Sequence, residues 1–389
     1  MEEKYDLNFM DAYLDKEYIY AVSRESNIFF RAKRDNGYSV EILGVINGFR
    51  NIYTGKIYAV QYYQNSLYMF ADSTYEVARY DFESRKISYY CPAEQEEGFD
   101  IVRGSCRIGN EVWILRDSFV GKLCVFSLED CSYRFFDLDI SILINSIRQK
   151  NVKRVSKENV CPVGNKVWRC IPGTNFLCAI DVTTKRVELH KVESDIEIFT
   201  ISHDAQGFYL ISIFGDYVIQ WDENRGVIDK KVINGGEKTF KAFRDILHVN
   251  GGYILLPNTS EHIKFLSEAK GMIEECELPS QFHRIGSAKG LFFHYLLEND
   301  KLLLFPFGGN GLIEMDTNTL QSKYHPIRIL KEECIKVLLA ENKAVTESEM
   351  ASLDSYISLL GSDYCMRKKE YSPDGAIGRR IMKTIEGSV

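Results

Sequence analysis

Histidines recur at one matching place in two neighbouring segments of the chain. His203 and His248 each lie just ahead of an apolar run, in a column otherwise filled by Tyr13, Tyr62, Arg107, Pro162 and Leu297. An imidazole titrates near neutral pH and is a common metal ligand, so two held side by side can bind a metal or pass a proton. The pattern offers no third ligand, and a histidine that satisfies one hydrogen bond in a turn or core is the commoner outcome by about five to one. His203 and His248 are thus the only catalytic candidates, and a structural role is expected of them. The familiar motifs are absent: there is no GxSxG elbow, no GxxxxGK phosphate loop and no HExxH metal helix. No two of the ten cysteines are spaced CxxC, and Cys178, between Leu177 and Ala179, has the setting of a small buried hydrophobe. Neither a metal nor a cofactor is expected, and the chain reads more readily as an interaction protein than as an enzyme.

The histidine column belongs to a repeat. Ile108-Gly109-Asn110-Glu111-Val112-Trp113 and Val163-Gly164-Asn165-Lys166-Val167-Trp168 match almost letter for letter. With Val112 as anchor, equivalent residues open apolar runs at Tyr18, Leu67, Val167, Phe208, Tyr253 and Leu302. A second column, Phe30, Tyr80, Phe126, Ile180, Trp221, Leu266 and Met315, keeps nearly the same rhythm of 41 to 55 residues. Two columns therefore give seven units. The fifth reads as four short strands, 198–202, 208–213, 217–221 and 227–232, split by turn residues such as Gly215-Asp216. Tyr217, Ile219 and Trp221 alternate with the period of two expected of a strand. Four-stranded units at this period are the signature of propeller blades, whose radial repetition also protects sheet edges. The expectation is an all-β, seven-bladed β-propeller over residues 1–330, with Trp113 and Trp168 buried at equivalent places between blades. Leu7 to Ala12 and Tyr324 to Ile329 can each serve as a full strand of its own blade, which leaves the manner of ring closure open.

The blade endings carry a resemblance. Ile180-Asp181-Val182-Thr183-Thr184-Lys185 and Met315-Asp316-Thr317-Asn318-Thr319-Leu320 look like the turn between third and fourth strands in kelch-like propellers, and Trp221-Asp222 resembles the dipeptide of WD repeats. The resemblance implies the fold over some 320 residues, with no particular activity attached. The aspartates of this column have a physical use of their own, because a carboxylate there can accept backbone N–H groups in an Asx turn.

In a propeller, the loops joining second to third strands share one face with the connections between blades. Such loops on a rigid scaffold are where function tends to lie. The candidate binding residues are Asp72, Arg116, Asp117, Asn175, Asp216, Asn258 and Asn310. A second candidate surface follows the third unit. Asp139 caps a short helical stripe of Ile140, Leu143, Ile144 and Ile147, which runs into the chain's basic cluster of Arg148, Lys150, Lys153 and Arg154. That cluster either meets an anionic partner or balances Glu94, Glu96, Glu97 and Asp100 as a solvated loop, and the second is the commoner case.

Composition narrows the classes further. Lys and Arg total 48 against 55 Asp and Glu, a net charge of −7, which argues against a nucleic-acid binder. The start MEEKYDLNFM has no signal-peptide pattern and no apolar run reaches about 18 residues, so a cytoplasmic location without membrane attachment is expected. After Leu330 the apolar period turns helical, and residues 331–389 are expected to form a helical extension. Its stripes are Cys334, Ile335, Leu338 and Leu339, then Met350, Leu353, Ile357 and Leu360, then Ile377, Ile381 and Ile385. The leading expectation is a protein-interaction or scaffold module that offers its loop face to a protein partner. The alternatives are a propeller enzyme acting on a glycan or small metabolite, and a non-catalytic glycan or small-molecule binder.

Overall fold

The computed structural model describes residues 4–24, 26–35, 37–46, 57–71, 75–92, 102–116, 122–139, 141, 160–171, 174–192, 196–233, 238–260, 262–271, 273–285 and 290–341. Seven antiparallel four-stranded sheets follow one another in sequence order, each from one contiguous segment. They run Ala12–Val45, Ile57–Tyr90, Val102–Asp137, Val160–Lys191, Ile198–Val232, Phe243–Cys276 and Phe292–His325. First strands of successive blades pack on one another, as in the pairs from blades one and two, three and four, four and five, and five and six. The protein is a seven-bladed β-propeller.

The repeat columns are rows across the sheets. In blade five His203 faces Phe208, which faces Trp221; in blade three Arg107 faces Val112, which faces Phe126. Blade one departs from the rule. Tyr18 opens its second strand, yet Tyr13 faces Tyr20, because Asp15 Oδ1 accepts the N–H groups of Glu17 and Tyr18 in a longer turn. The aspartate column does what an Asx turn requires. Oδ1 of Asp81, Asp181, Asp222 and Asp316 each accepts the N–H three residues on, and Ser127 and Ser267 take the same place with their hydroxyls. Backbone hydrogen bonds to these carboxylates hold all four below the usual aspartate range.

Apolar residues of each blade meet those of the next, and one buried cluster fills every interface, including that between blades seven and one. Trp113 lies against Val167 and Ile180 between blades three and four, and Trp168 against Ile198 and Trp221 between blades four and five. Both rings are fully buried, at 0% and 1% exposure. A buried ring of this size removes about 200 Å² from water, roughly 5 kcal/mol of transfer free energy.

Ring closure, which the sequence leaves open, makes neither Leu7 to Ala12 nor Tyr324 to Ile329 a full blade strand. The first strand of blade one is only Ala12–Leu14, while Lys4–Asp6 pairs with Arg328–Leu330 in a two-stranded clasp. Between them Leu7 and Phe9 fill the seam, their N–H groups donating to Ile327 and Pro306 and Phe9 lying against Phe30 and Phe305. Tyr324 to Ile329 is likewise split, into the blade strand Ser322–His325 and the clasp strand. Pro326, between them, has no N–H to continue a ladder.

A helix, Lys331–Glu341, follows the clasp at once and seats the fully buried Cys334 in the cluster between blades seven and one, beside Ile335 and Val337. Asp139 Oδ1 accepts the N–H of Ser141 as an N-cap should. The stripe after it, the basic cluster and the stripes after residue 341 lie outside the described residues. Among the described residues no helix is long and apolar enough to cross a membrane.

Candidate functional site

His203 and His248 stand where first strands end, on the face opposite the loops between second and third strands. Their rings take different partners. His203 packs edge-on against Phe208, and burial lowers its pKa while Asp204 opposes that shift. His248 lies between Tyr209 and Tyr253, with Nδ1 2.8 Å from Asp204 Oδ2 and Nε2 3.6 Å from Glu268 Oε1. Among the described residues, the convergence of three metal-type donors falls elsewhere, on Glu188, His190 and Glu223.

Of the sequence-expected binding residues, Asp72, Asp117, Arg148, Lys150, Lys153 and Arg154 lie outside the described residues, and Arg116 is the last residue of its strand. Asn175, Asp216 and Asn310 are buried, so little of them is open to a ligand. Their polar atoms build the loops instead. Asp216 Oδ1 accepts the Ser212 hydroxyl at 2.6 Å, and Ser212 Oγ in turn accepts the N–H groups of Asp216 and Tyr217. Asn258 Nδ2 donates to the Lys241 carbonyl, tying the blade-six loop to the connection from blade five. Asn310 does the same one blade on, donating to Gln281 and accepting from the His283 N–H.

What those ties hold in place is an aromatic pair that the sequence pattern did not single out. Phe214 caps the loop after the second strand of blade five, and Phe240 lies on the connection to blade six. They are 40% and 51% exposed, with ring centroids 6.1 Å apart. The connection is laced to the loop by Thr239 N–H to Phe214 O and Lys241 N–H to Ile213 O, and Thr259 Oγ1 donates to Phe240 O. Lys238 lies over Phe214 and Lys241 over Phe240, at 5.7 and 5.1 Å from the ring centres, with Phe199 and Ile213 buried below. Gly215, at φ +63°, makes the turn, and its approach to Ala242 leaves 2.6 Å for a Cβ.

Two further features share this side of the ring. An open groove of about 520 Å³ lies along the connection from blade six to seven, lined by His262, Glu275, Phe282, His283 and Arg284 among others. Nearer the axis Arg244 lies 4.0 Å over Phe293, and burial lowers its guanidinium to about 9 while Asp245 opposes the shift. Burial also raises the Tyr295 phenol, with Asp245 as hydrogen-bond partner and the Cys161 thiol close enough to add to the shift. These three come from first strands of blades six, seven and four, which sets them around the axis.

No family model matches the chain, and no curated protein matches it. Solved structures do, as folds. Virginiamycin B lyase from Staphylococcus aureus superposes with a TM-score of 0.56 at 11% identity, over 79% of this chain and 96% of that one. YCF48 bound to D1 peptide gives 0.55 at 12%, over 80% and 95%, and a chain of the mitotic checkpoint complex gives 0.51 at 10%, over 78% and 88%. At such identities the likeness is one of architecture alone.

Proposed function

We propose that this chain is a protein-interaction module that presents its loop face, centred on Phe214 and Phe240, to a partner protein. The observation that carries the reading is a pair of exposed aromatic rings held by backbone hydrogen bonds rather than by free loop ends. Anchors that are already ordered lose little entropy on binding, and aromatic residues backed by cations are typical of interface hot spots. Two of the similar folds are of proteins described in complexes, one with a peptide and one in a checkpoint assembly. The nine described cysteines are all free, which suits a reducing compartment and a cytoplasmic location. Affinity capture with the full chain and with F214S/F240S tests the reading. A partner set held by the parent and lost by the double variant is expected, and equal capture by both would overturn it.

A second reading, a small-molecule or glycan binder, draws on the groove beside His262, Glu275, His283 and Arg284, whose size lies in the range of ligand sites. Saturation-transfer NMR with a panel of mono- and disaccharides tests it, read against H283A.

A further inference from the structure

Between blades four and five, away from the loop face, three metal-type donors point at one place. Glu188 and His190 are two apart on the strand Val187–Lys191, so both side chains leave the same side of the sheet. Glu223 comes from the turn after the third strand of blade five. Nε2 of His190 is 3.6 Å from Glu188 Oε2 and 3.8 Å from Glu223 Oε1, and all three donor atoms lie within 4.8 Å of one another. A tetrahedral ion with ligand bonds of about 2.0–2.1 Å sets its ligands roughly 3.3 Å apart, so the donors need to close by up to about 1.5 Å to supply three of its four ligands.

Two observations set this cluster apart from an ordinary surface ion pair. The two carboxylates already grip a cation, the Lys166 ammonium, at 2.8 and 2.6 Å. Two carboxylates and one ammonium leave one negative charge over, whereas a divalent ion in place of the ammonium leaves none. Meanwhile the Nε2 atom of His190 is buried without a hydrogen-bond partner, against the rule that buried polar atoms are satisfied. Its ring is fixed against Trp168, at 4.8 Å between centroids, and near Trp221, at 6.0 Å. An imidazole so placed has no role in the Lys166 contact, but a neutral one supplies the nitrogen that borderline divalent metals select over Mg²⁺ or Ca²⁺.

We propose that Glu188, His190 and Glu223 form a binding site for a divalent transition-metal ion, joining blades four and five, with Lys166 as the internal cation that the metal displaces. The exchange is one of ligands only: the ammonium leaves with its proton for solvent, both carboxylates stay ionised, and the imidazole binds through Nε2. Solvent completes the shell, since Glu188 and Glu223 are each more than a third exposed.

Two of the chain's three tryptophans adjoin the site, so a paramagnetic ion bound there quenches their emission. Co²⁺ titrated into the full chain should quench with a stoichiometry of one, and Zn²⁺ should compete it off. K166M should tighten binding roughly tenfold, and H190A should abolish it. Should H190A fail to fold, E223Q, in an exposed turn, serves instead and should weaken binding at least as far as K166M strengthens it. Quenching retained in H190A or E223Q would place the metal on thiols elsewhere and overturn the proposal. Binding by K166M with none by the parent chain would overturn it too, as Lys166 would then be a permanent clamp.

Discussion

Replacing Trp113 with Ala measures how far the inter-blade clusters hold the ring together. The side chain is 0% exposed and packs between blades three and four with Leu115, Leu123, Val167, Cys178 and Ile180. An indole buries about 200 Å², which at ~25 cal/mol/Å² is about 5 kcal/mol, part of it kept by the new methyl and part restored as a cavity penalty. Lys185 Nζ, 4.4 Å from the ring centre, loses its aromatic partner as well. The expected loss is ~3–5 kcal/mol, read as the shift in urea midpoint with the slope unchanged. Trp168→Ala should lose a similar amount, since that ring has the equivalent place one interface on. A loss below about 1 kcal/mol for either would mean that the ring is not part of an inter-blade core, and would refute the reasoning.

Phe214→Ser and Phe240→Ser should each cost about 1–2 kcal/mol in the same assay, less than Trp113→Ala because the residues are already 40% and 51% exposed, while reducing partner capture. Gly215→Ala should do both kinds of damage, as the new methyl meets Ala242 at 2.6 Å in a left-handed backbone: a lower melting temperature and weaker capture are expected, and a parent-like melting curve would contradict the turn geometry. The turn carboxylates give a pH signature. Asp130, held down to about 2 chiefly by the Ser127 and Ser132 hydroxyls, and Asp81, Asp181, Asp222 and Asp316 all have lowered folded-state values. Their stabilisation is therefore complete above about pH 4 and lost as pH falls toward 2, so urea midpoints should drop through that window, and less so in D181A/D316A. Removing residues 1–6 should lower the melting temperature by opening the Lys4–Asp6 clasp and its Arg328–Asp6 ion pair of 2.6 Å; an unchanged value would mean that the seam residues alone close the ring.

The blades were legible because each repeat column is a single row of cross-strand partners, so Phe208 and Trp221, or Tyr253 and Leu266, must recur together to keep one face buried. Tyr18 came out two residues from its true row because the Asp15 turn lengthens that hairpin, and a turn of unusual length leaves no mark in an apolar pattern. The N-terminal clasp was hidden for a similar reason: Leu7 and Phe9 alternate like a strand but are buried in a seam with Pro306 and Ile327 of the last blade and its exit. Loop residues were the least legible. Asn258 and Asn310 have the side chains a ligand would need, yet polar groups in turns are usually taken by nearby backbone, as these are. Phe214 and Phe240 lie on either side of two strands and a connection, and only the tertiary ties through Thr239 and Lys241 bring them together. Lys166, Glu188 and Glu223 likewise meet only across a blade interface.

The loop-face account is tested most directly by asking which side of the ring a partner touches in the native cell. A photoreactive phenylalanine analogue placed at position 240, and in a second chain at position 203 on the opposite face, reports contact within a few ångströms of each. Crosslinks to a defined protein from position 240, with none to it from 203, are the predicted result. Crosslinks to a partner from position 203 alone would contradict the account.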